Sequence, residues 1–137
     1  MAYSNFYARF YISRQKVAAA LASVWSFIPS RWYVLSAGLL QIIVWWQAIF
    51  IYRHLSGDLL VLHYNVDLGI DLVGDPVRIF IYPLIGLVIL MLNFILAAAY
   101  NNHQDGRIFT HLLLASAMLF NAFLSLAILG IYLINFR

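Results

Sequence analysis

The sequence predicts an all-α membrane protein with three transmembrane helices. An amphipathic interfacial helix precedes them, and an extended or hairpin-like external loop joins the first two. Composition is the first reason: of 137 residues, 65% are hydrophobic and 9% charged, against roughly 45–50% and about 25% in soluble domains. The second is three apolar stretches, about 34–52, 76–100 and 111–134, each long enough to cross a hydrocarbon core of about 30 Å at 1.5 Å per residue. The third is a run between the first two stretches that alternates apolar and polar residues. Hydrocarbon offers backbone amides no partner, so isolated spans of this length must be helical.

The composition excludes a soluble globule, a disordered chain and a basic nucleic-acid binder, and the length excludes a large transporter or multi-domain enzyme. The absence of cysteine removes disulfides, thiolate metal sites and thiol nucleophiles. No phosphate loop, two-histidine zinc helix or credible Ser-His-Asp set is present. The chain therefore reads as non-enzymatic, with no cofactor.

Residues 1–30 form the first unit and 31–137 the three-helix domain. The apolar run Val17 to Ile28 is too short to span. Phe10, Val17, Leu21, Val24 and Ile28 fall on one helical face, and Arg9, Ser13, Lys16 and Ser23 on another. This pattern predicts a helix lying in the headgroup region. A cleaved signal peptide is the rival reading, but Pro29 and Arg31 follow where small residues would be needed.

Ser30 is the expected cap of the first span, with Arg31, Trp32 and Tyr33 as one interfacial anchor and Tyr52 and Arg53 as the other. Asp75 and Pro76 open the second span as N-cap and first helical residue, and Pro83 predicts a bend soon after. The polar turn Asn101 to Gly106 makes the second and third spans antiparallel neighbours. Five basic residues (Arg9, Arg14, Lys16, Arg31 and Arg107) fall on one side of the three spans and three (Arg53, Arg78 and Arg137) on the other. This bias predicts a cytoplasmic N-terminus and an external C-terminus.

In the loop, Leu60, Leu62, Tyr64, Val66, Leu68, Ile70 and Leu72 alternate with His63, Asn65, Asp67, Gly69 and Asp71. Period two indicates extended chain with one buried face, and Asp67 to Gly69 supply a turn. Gly69 and Gly74 add backbone freedom. Two readings of the polar face stand side by side. His63, Asn65, Asp67 and Asp71 could converge on a divalent cation, or they could hydrogen-bond the loop's own backbone, as Asn and Asp commonly do.

His63, Tyr64 and Asn65, followed by Asp71, Gly74 and an apolar helix carrying Pro83, resemble the His-aromatic-Asn, Asp, Gly segment of the bacterial sporulation-delay immunity proteins and their membrane relatives. The resemblance covers about residues 58–95. It departs at Leu68, where that family usually has glycine, and at Asp75-Pro76, where a basic residue is common. It implies a shared loop and helix pair, a bacterial inner membrane and an immunity-like role.

Gln41, Asn93 and Asn121 lie inside the spans. Counted from span ends at 34, 100 and 111, they share one depth within about 5 Å. They read as amide contacts between helices, because a proton or ion path would need an ionisable group beside them. His111, at the start of the third span, is the one loose candidate for an axial haem ligand; its other reading is an interfacial or capping residue. Of the adjacent Trp45 and Trp46, one is expected inside the bundle and one facing lipid or a partner.

Two functions follow. In the first, the external loop 53–75 recognises a peptide or membrane partner, its four aspartates suiting a basic, apolar peptide. In the second, the chain is a structural accessory subunit of a larger membrane complex. A metal-dependent hydrolase using His63, Asp67 and Asp71 is the third and weakest reading. The expected partners are the lipid bilayer and other membrane subunits or a second copy of the chain, and no nucleic acid.

Overall fold

The computed structural model describes the backbone of residues 2–55, 59–65, 69–100 and 104–136, with side chains throughout except those of residues 2–6, 8, 9, 13, 63–65, 70 and 71. The element order is α1 (Ala2–Ser26), α2 (Ile28–His54), β1 (Leu60–Asn65), β2 (Gly69–Gly74), a 3₁₀ turn (Pro76–Phe80), α3 (Ile81–Tyr100) and α4 (Gly106–Asn135). Three segments, Ile28–His54, Pro76–Tyr100 and Gly106–Asn135, are long and apolar enough to cross a membrane. The first and third run past the boundaries expected from the sequence. The periodic helix continues through polar ends that the hydropathy pattern alone leaves out.

The join of α1 to α2 follows from Pro29. Its ring would strike the carbonyl of Trp25 in a continuous helix, and it has no N–H to offer that carbonyl. The chain breaks at Phe27, which is extended (φ −82°, ψ 111°), and the Trp25 carbonyl accepts from Arg31 Nε instead. Ser30 does not cap α2. The cap position is Phe27, without a side-chain hydrogen bond, and Ser30 sits inside the first turn, donating its N–H to the Phe27 carbonyl at 3.0 Å. The helix break therefore falls at Phe27, ahead of Pro29 and Ser30.

Asp75 does cap, its Oδ1 accepting from Val77 N–H at 2.8 Å. Ahead of Pro83, where a bend was expected, the helix changes type from 3₁₀ to α between Phe80 and Ile81. The change spares the Ile79 carbonyl a clash with the Pro83 ring.

α4 packs along both α2 and α3, which touch each other less. Two apolar clusters result. At the hairpin end, Val44, Ala48 and Ile51 meet Leu60, Leu62, Ile79, Ile128 and Ile131. At the other end, Val24 of α1 packs with Ala97, Ala98 and Leu114. Among the described side chains, this last part of α1 is the part packed in the cluster, and Tyr7, Phe10, Tyr11, Ile12 and Val17 are exposed to solvent or lipid. Trp45 is half-buried, its ring 6.1 Å from that of Phe80, whereas Trp46 is exposed.

Candidate functional site

The loop between α2 and α3 is an antiparallel hairpin seated on the bundle. Leu60 and Leu62 of β1 are buried among the ends of α2 and α4 and the 3₁₀ turn. The register pairs Leu60 with Gly74, Val61 with Val73, His63 with Leu72, Tyr64 with Ile70 and Asn65 with Gly69. Leu62 on β1 and Asp71 on β2 are each left unopposed, a pair of offsetting one-residue bulges. A one-residue shift exchanges the faces of a strand. The expectation that all even positions share one buried face therefore fails at Leu72, which is 47% exposed.

Asn135, in the last turn of α4, fixes the hairpin. Its Oδ1 accepts from Val61 N–H and its Nδ2 donates to the Val61 carbonyl, both at 2.9 Å. The amide thus acts as one more strand residue along the outer edge of β1. Val61 and Val73 are opposite each other, so when the Val61 backbone groups point away from β2, those of Val73 point away from β1. No described strand pairs that edge of β2.

The two hairpin glycines serve different ends. Gly69 has φ +79° with open space around it, so its lack of a side chain serves backbone conformation. A Cβ at Gly74 would stand 3.0 Å from Arg78 Cδ and 3.1 Å from Leu62 Cδ1, so there the need is room. The side chains of His63, Tyr64, Asn65 and Asp71, and the whole of Asp67, lie outside the described residues. Among the described residues no group of three metal-ligating side chains converges.

A second polar constellation lies in mid-bundle. Gln41 Nε2 donates to the Pro83 carbonyl at 2.6 Å and Asn121 Nδ2 to the Ala117 carbonyl at 3.0 Å. Gln41 Oε1 and Asn121 Oδ1 are buried without a hydrogen-bond partner among the described residues, and both converge on Gly86. A Cβ there would stand 2.8 Å from the first and 2.6 Å from the second. Weak Cα–H···O contacts are what Gly86 can offer them. Asn93 is elsewhere. It bonds the Ile89 carbonyl at 2.9 Å and receives Ser116 Oγ at 3.5 Å. The shared depth expected for the three amides does not hold, because α2 and α4 start earlier, at Ile28 and Gly106. Gln41 and Asn121 are thereby roughly 10 Å further from the α1 end of the bundle than Asn93 is.

His111 sits edge-on between Phe27 (5.0 Å) and Tyr33 (5.6 Å), in the second turn of α4, past the capping position. Arg107 lies over Phe27 at 5.7 Å. Asn135 and Pro83 are positions that the sequence pattern did not single out as contacts, whereas Gly86 is one of several small residues expected to allow close helix approach. An amide in the last turn of a span was the available signal for Asn135. No family model, curated protein or solved structure matches the chain.

Proposed function

We propose that the chain is a non-enzymatic membrane protein whose loop 53–75 recognises a basic, apolar peptide or another membrane protein, in the manner of an immunity or resistance protein. One observation carries this reading. The hairpin has the Val61 groups on one edge paired by Asn135, and along the other edge, β2, no described strand pairs it. An extended peptide can add to such an edge through main-chain hydrogen bonds. Asp58, Asp67, Asp71 and Asp75, four of the five acids in the chain, fall in the same segment and would favour a cationic partner. The resemblance of His63, Tyr64, Asn65, Asp71 and Gly74 to the sporulation-delay immunity proteins points the same way.

The test is protection. The chain is expressed in a cell sensitive to cationic membrane-active peptides, beside a Val73→Pro variant that removes a donor from the open edge while leaving every charge. The parent protects and the variant does not. Absence of protection against every such peptide tried sinks the reading.

The same proposal places the N-terminus in the cytoplasm, α1 against headgroups with Arg14 and Lys16 towards them, and the C-terminus outside a bacterial inner membrane. A reporter at Arg137 that behaves as cytoplasmic reverses that topology. The exposed apolar residues of α1 from Tyr7 to Val17 favour a second reading, an accessory subunit whose α1 lies on an unlike protein. Native mass measurement in mild detergent separates the two: stable co-purification of unlike subunits supports the second.

A further inference from the structure

A groove of about 260 Å³ opens where α2 and α4 meet, with Trp46, Phe50, Leu129 and Tyr132 among its walls and the Gln47 amide between them. Gln47 Oε1 accepts from Ser125 Oγ at 3.1 Å. Gln47 Nε2 has no hydrogen-bond partner among the described residues. Gln47 precedes the end of α2 at His54 by seven residues, about 10 Å along the axis. Acyl chains present no acceptor at that depth, and lipid oxygens lie nearer the interface. An amide donor left unpaired in hydrocarbon is costly. The groove therefore suits an occupant with apolar surface and an acceptor at the level of Gln47.

A second copy of the chain meets that condition through symmetry. In a parallel two-fold pair, equivalent residues face the axis at equal depth. The Gln47 carbonyl oxygen has two lone pairs, and Ser125 uses one. Two Gln47 amides can thus donate to each other reciprocally. Trp46, 64% exposed beside the groove, supplies apolar surface around the pair.

We propose that the groove face of α2 and α4 is the interface of a parallel homodimer, in which the Gln47 amides hydrogen-bond across the two-fold axis. The proposal rests on α2 and α4 being membrane spans and is independent of what the hairpin recognises.

The chain has no cysteine, so a single introduced one reports a single face. Leu129→Cys at the groove and Val88→Cys on the exposed face of α3 are compared by oxidative cross-linking of the full chain in phospholipid vesicles. Leu129→Cys is expected to give a disulfide-linked dimer and Val88→Cys is not. Adding Gln47→Leu to Leu129→Cys should weaken association by about three- to thirty-fold, the worth of an interhelical polar contact in lipid. Equal cross-linking at both positions, no cross-link at Leu129→Cys in an inserted chain, or unchanged association with Gln47→Leu overturns the proposal. A chain that does not insert overturns the span reading, and this one with it.

Discussion

Asn135 and Val61, 74 residues apart in the chain, are joined by two hydrogen bonds of 2.9 Å between the side-chain amide of one and the backbone of the other. A third bond, from Asn135 Nδ2 to the Ile131 carbonyl at 2.8 Å, orients the amide. The contact holds the hairpin on the end of α4 and pairs the Val61 groups on the outer edge of β1.

Asn135→Ala should free the hairpin without unfolding the helices. Leaving the Val61 groups unpaired at a part-buried site should lower stability by about 1–3 kcal/mol. Hydrogen exchange at the Val61 amide should rise sharply, with α2 and α4 amides little changed. Asn135→Asp keeps the acceptor for Val61 N–H but sets a carboxylate oxygen against the Val61 and Ile131 carbonyls, so it should destabilise at least as much as alanine.

Gly86→Ala should be the most damaging single methyl in the bundle. The added carbon would meet Asn121 Oδ1 at 2.6 Å, Gln41 Oε1 at 2.8 Å and Leu124 Cδ1 at 2.9 Å, and overpacking of this kind costs about 1–3 kcal/mol. Gly38→Ala and Gly130→Ala meet nothing within 4 Å and gain helix propensity, so they should be neutral or stabilising. Melting temperatures in detergent compare the three.

Gly69 should tolerate asparagine better than valine. Its φ of +79° is accessible to asparagine and strained for a β-branched residue. Gly69→Val should accelerate proteolysis within 59–75 while leaving melting of the helices nearly intact. Faster cleavage with Gly69→Asn than with Gly69→Val would contradict the assignment.

Asp75→Ala removes the acceptor for Val77 N–H and should cost about 0.5–2 kcal/mol, as loss of an N-cap does. Asp75→Asn retains an acceptor and should recover most of it. Thermal melts of the pair measure the difference.

Local chemistry was legible in the sequence. The spans follow from runs of apolar residues against a solvent without hydrogen-bonding groups, the Asp75 cap from its place before Pro76, and the extended loop from its alternating pattern. The contrast between Trp45 and Trp46 follows from adjacent residues pointing to different sides of a helix. These are short-range effects, decided within a turn or a strand of the chain itself. The helix ends were less legible: Ser30 gave the signature of a cap, yet the Pro29 ring had already shifted the break to Phe27.

Only the tertiary structure decided which residues meet. Gly86 reads as one small residue among several until Gln41 and Asn121 close on it. Asn135 reads as a polar end of a span until Val61 lies beside it. The paired bulges at Leu62 and Asp71, which leave Leu72 exposed, depend on how β1 must sit to bury Leu60 and Leu62 beneath α2 and α4. Each of these depends on the distance between helices far apart in sequence. That distance is set by packing over the whole bundle, which no local pattern of residues encodes.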